Sequence, residues 1–108
     1  MISNQSVFAC NMNALSPVER VRHGVNTVRL MKNLQGIQEN MNGYSLHFAK
    51  ETRNIRQIAE FISFERLCCP FFDFMVQIRA EDEYVEVQIS GAEGIKDFIR
   101  SEFGEAFA

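Results

Sequence analysis

Two stretches of this chain keep a near-strict alternation of side-chain character, and that limits the fold more than any other feature. Phe72, Phe74, Val76 and Ile78 alternate with Asp73, Met75, Gln77 and Arg79, and Val85, Val87 and Ile89 alternate with Glu86, Gln88 and Ser90. Successive side chains on a strand point to opposite faces, so each stretch reads as a strand with one apolar and one wet face. Glu81, Asp82 and Glu83 supply the turn between them. A sheet with one wet face is antiparallel, and its dry face needs helices to cover it.

Three helices are available for that role. The first opens at Ser16-Pro17-Val18-Glu19, a capping box with proline at the first helical position. Val18, Val21, Val25, Val28 and Met31 recur at helical spacing and are expected to face the core, with Gly36 as the stop. His23, Thr27, Leu30 and Leu34 form a weaker stripe, assigned to a partner, with His23 at the surface. The second helix is expected from near Asn54, with Gln57 as its capping partner, through Ile55, Ile58 and Ile62 to Pro70. The third is expected to open with a capping box, Ser90 to Glu93, to present Ile95, Phe98, Ile99 and Phe103, and to stop at Gly104.

Further strands fill the gaps. Ser6 to Cys10 reads as a first strand with Phe8 and Cys10 on one face. Asn42-Gly43 reads as a two-residue hairpin turn between a strand around Gln35 to Met41 and the alternation Tyr44, Leu46, Phe48. The expected fold is α+β: an antiparallel sheet of about five strands with three helices on one face, in the order β-α-ββ-α-ββ-α. Residues 1–108 fit a single domain.

Bulk properties narrow the function. A net charge of −3 argues against nucleic acid, whose phosphates need a basic surface. No apolar run approaches the roughly 20 residues of a membrane span. The first five residues carry no signal-peptide pattern, so a cytoplasmic location is expected. Three cysteines, an odd count, suit free thiols in a reducing compartment better than a secreted disulfide scaffold.

The chemistry-bearing feature is Glu65-Arg66-Leu67-Cys68-Cys69-Pro70-Phe71 at the end of the second helix. Helical spacing puts Glu65 within reach of both thiols. Cys69 falls on the apolar stripe with Glu65 at its edge, where a carboxylate is costly unless paired or ligating. One reading is a site of Cys68, Cys69 and Cys10 for zinc, Cu(I) or a heavier thiophilic ion. The other is that the cysteines are small buried hydrophobes and Glu65 pairs with Arg66 or Arg53 or caps the backbone. On residues alone the second carries more weight. A helix C-terminus raises a thiol pKa, which disfavours covalent catalysis. The adjacent cysteines also lack the spacing of ordinary zinc sites. His47 reads as a solvated histidine, and the cluster Phe61, Phe64, Phe71, Phe72 and Phe74 as core.

Phe8-Ala9-Cys10-Asn11-Met12, the Glu65–Phe71 segment and Ser90-Gly91-Ala92-Glu93-Gly94 together resemble a family of small bacterial proteins without assigned function. Similar domains form C-terminal extensions of MerR-type metal-responsive regulators. The resemblance spans about Phe8 to Phe103. It implies that Cys10 belongs with Cys68 and Cys69, and it favours a metal or thiophile role. No DNA-binding helix-turn-helix region accompanies the match, which sets the chain apart from the regulators. The expected function is therefore a soft-metal or thiophile-binding module with ligands Cys10, Cys68, Cys69 and Glu65. A structural or interaction domain forming a homodimer is the alternative, and an enzyme the least favoured.

Overall fold

A computed structural model describes residues 8–107. The chain is α+β. Helix α1 (Pro17–Lys32) leads into the hairpin β1 (Leu34–Glu39) and β2 (Gly43–Ala49). Helix α2 (Thr52–Cys68) leads into the hairpin β3 (Asp73–Ile78) and β4 (Tyr84–Ser90), and helix α3 (Ile95–Glu102) follows. The strands form a four-stranded sheet in the order β1-β2-β4-β3, with every pairing antiparallel.

The alternation expected of β4 is seen, but that of β3, an edge strand, gives no dry face: Phe74 is half-buried, whereas Val76 and Ile78 are exposed. Leu46 and Phe48 pair with Val87 and Val85, and all four are buried on one face. The opposite face carries Ser45, His47, Glu86 and Gln88. There the Glu86 carboxylate accepts from Gln88 and Ser45 and lies near His47, contacts that hold its pKa below the usual carboxylate range. His47 is thus a half-exposed residue of the polar face.

The strand expected over Ser6 to Cys10 lies partly outside the described residues. Phe8, Ala9 and Cys10 are not in a strand, so four strands rather than about five are found among the described residues. The segment is held differently. The Asn11 amide donates to the Cys68 carbonyl at 2.7 Å, and Phe8 and Leu15 are buried.

Helix α1 starts as expected, with both halves of the Ser16–Glu19 capping box formed. Its apolar face is the reverse of the expected one. Val18 and Val21 are 76% and 68% exposed, whereas His23 is 5% and Leu30 1% exposed. The reason lies in the partner. α1 packs against α2, where His23 finds Glu65 and the rings of Phe61 and Phe64. A polar pair that satisfies itself can occupy a buried seam, which hydrophobic periodicity does not register.

Three other boundaries differ. α1 ends at Lys32 with Asn33 as its cap, so Gly36 falls within β1. α2 begins at Thr52, and Asn54 is buried in its first turn, donating to the Ala49 carbonyl rather than capping. Ser90 completes β4, and α3 is entered through Gly94 at φ +92°, a left-handed conformation open to glycine. The phenylalanines expected in the core are there: Phe61 and Phe72 are buried, and Phe64, Phe71 and Phe74 pack against them.

Candidate thiol and carboxylate site

The end of α2 is set by Pro70, and it delivers three acidic or sulfur-bearing side chains to one place. Cys68 is the last helical residue and Cys69 the cap, whose amide donates to the Glu65 carbonyl at 2.8 Å. Docking of the opening segment on this helix end brings Cys10 to Cys69 with Cα atoms 4.7 Å apart, and the two are joined in a disulfide. This corrects the expectation of three free thiols: only Cys68 is a free cysteine, and it is buried. The bond links positions 59 apart, not the neighbouring pair.

Carboxylates flank the sulfurs on both sides. Glu65 Oε2 lies 3.8 Å from Cys69 Sγ, and Glu102 Oε2, at the end of α3, lies 3.6 Å from Cys10 Sγ. The ligand atoms of Cys10, Cys69 and Glu102 fall within 4.8 Å of one another. Of the four residues expected as ligands, Cys10 and Cys69 belong to this group. Cys68 and Glu65 border it without joining it.

Glu65 is 4% exposed and its partner is neither Arg66 nor Arg53 but His23, whose Nε2 lies 2.7 Å from Oε1. Among the described residues, Nδ1 of His23 is buried with no hydrogen-bond partner. His23 and Glu102 are the two site residues that sequence reasoning missed. His23 had a signal, its place on a stripe with Leu30. Glu102 had none, since nothing in its spacing connects α3 to Cys10.

The electrostatics are one-sided. Burial, then the charges of Glu65 and Glu102, push the Cys68 thiol pKa up. Partial burial of the Glu102 carboxyl group and the charge of Glu65 raise the Glu102 pKa, while His23 opposes the shift. A negative environment at a helix C-terminus disfavours a thiolate nucleophile. The same environment attracts a cation, and sulfur donors select a soft one.

The chain matches no family model, no curated protein and no solved structure. Among the described residues, no helix is long and apolar enough to cross a membrane.

Proposed function

We propose that the reduced chain binds a soft metal ion, zinc or Cu(I), through Cys10 and Cys69 with Glu102 as an oxygen ligand. The observation that carries this reading is the convergence of two sulfurs from distant segments and one carboxylate within 4.8 Å. Cys68, next to Cys69 in the chain, borders the proposed site, and Glu65 orients Cys69. The disulfide is the resting oxidised form. A cellular dithiol would supply two electrons and two protons to open it, becoming a disulfide itself. A cytoplasmic location and the resemblance to the bacterial family with the Cys-Cys-Pro-Phe motif fit this reading.

The test is titration of anaerobically reduced protein with Zn²⁺ and Cu(I), read by competition with a chromophoric chelator. Tight binding is expected for the parent, with loss in Cys10→Ser and Cys69→Ser and none in the oxidised protein. Equal affinity of parent and both variants would sink the proposal.

A second reading has its own observation. Val18, Val21, Val25 and Val28 form an exposed apolar stripe along α1. Exposed apolar stripes of this kind mark interaction surfaces. In this reading the chain is an interaction domain that pairs through α1. Light scattering would show a dimer that Val21→Glu converts to a monomer, and a monomeric parent would end it.

A further inference from the structure

The two edges of the sheet are not alike. β1 and β3 lie outermost, and an outer strand offers unpaired backbone amides and carbonyls to any other chain. β1 is blunted against such pairing. Its register shifts between Leu34 and Gly36, and its apolar residues Leu34 and Ile37 are half-buried. β3 carries none of the usual protections. It pairs with β4 in unbroken register from Asp73 to Ile78, holds no proline or lysine, and has one charge, at its first residue. Met75, Val76 and Ile78 are exposed along it. Among the described residues, no strand covers its outer edge.

We propose that this edge receives β3 of a second copy of the chain, antiparallel, joining two four-stranded sheets into one of eight strands. The strand is complementary to itself in one register. A two-fold axis at Val76 sets Val76 opposite the partner's Val76, Phe74 opposite the partner's Ile78, Met75 opposite the partner's Gln77 and Asp73 opposite the partner's Arg79. Apolar side chains then meet on the face that carries Val87 and Val85, and opposite charges meet on the wet face. Arg79 already touches Glu81 and Asp82 of its own turn, exposed contacts that it can exchange at little cost. Neighbouring registers lose the match. Centring on Gln77 sets Asp73 against Glu81, and centring on Met75 puts Arg79 opposite Phe71. A slip of one residue lays the apolar face of one copy beside the wet face of the other.

The test is size-exclusion chromatography with light scattering on the full chain, over a concentration series. The parent is expected to be a concentration-dependent dimer. Val76→Lys, at an exposed position, should abolish the dimer and leave the circular dichroism of the fold unchanged. Asp73→Arg and Arg79→Asp should each raise the dissociation constant about tenfold, the scale of two exposed ion pairs made repulsive. The chain carrying both substitutions should return to the parent value, which damage to the fold would not do. This charge exchange keeps the test open should Val76→Lys fail to fold. Val21→Glu should have no effect, because the pairing uses neither α1 nor the sulfur cluster, and metal affinity is read in a separate assay. A monomeric parent, a dimer that survives Val76→Lys, a double variant weaker than either single one, or a dimer lost in Val21→Glu would overturn the proposal.

Discussion

Nε2 of His23 lies 2.7 Å from Oε1 of Glu65, joining α1 to α2 across 42 positions of sequence with both side chains buried. Removing one member leaves the other desolvated and unpaired, which costs about 3–5 kcal/mol in buried pairs. His23→Ala is expected to destabilise the chain by that order in urea unfolding. Replacing both, as His23→Leu with Glu65→Met, should cost much less, because no polar group is then stranded. Equal losses in the single and double variants would contradict this account of the seam.

The Cys10–Cys69 bond closes a long loop, with a sequence separation of 59. Chain-entropy reasoning assigns such a cross-link about 4 kcal/mol, through restriction of the unfolded chain. Reduction, or Cys10→Ser, should lower the unfolding free energy by an amount of this order. Urea curves with and without a phosphine reductant measure it directly.

Glu102 gives a pH dependence with a definite sign. Its folded pKa lies above the ordinary carboxylate value through partial burial and the neighbouring Glu65 charge. The folded state therefore holds the proton more tightly, and ionisation weighs against folding. Stability should fall as pH rises from the ordinary carboxylate value, about 4.3, through the raised one. Glu102→Gln should remove this loss, so its stabilising effect is expected at neutral pH and should vanish in acid. The effect should be small, because the burial is only partial and solvent screens the carboxylate. Thermal melts of both proteins across that window decide the matter, and a variant that gained stability only in acid would refute the sign.

Gly43 should resist substitution for a steric reason. A Cβ there would lie 1.9 Å from the Ile89 carbonyl oxygen, where β2 meets β4. Gly43→Ala is expected to cost at least about 2 kcal/mol, within the usual range for forcing atoms into filled space. Gly24→Ala is the control, since a Cβ at Gly24 has open space around it. There, within α1, alanine should stabilise by about 0.5–1 kcal/mol.

Gly43 also shows how the sequence can yield the right element for the wrong reason. Asn42-Gly43 does mark the hairpin, but the strands end at Glu39 and resume at Gly43, and Gly43 has no positive φ. The glycine is required by a neighbouring strand that is distant in sequence. The same limit explains α1. Valines at helical spacing define a helix, but which side turns inward depends on what α2 offers opposite.

The sequence by itself determined the elements that depend on near neighbours. Alternation set the buried faces of β2 and β4, the Ser16–Glu19 box set the start of α1, and Pro70 set the end of α2. These follow from backbone sterics and side-chain periodicity within a few residues. Only the tertiary structure decided the pairing of Cys10 with Cys69, the match of His23 to Glu65 and the arrival of Glu102 at the sulfurs. Each joins segments far apart in the chain, and local patterning carries no information about which distant surface a face will meet.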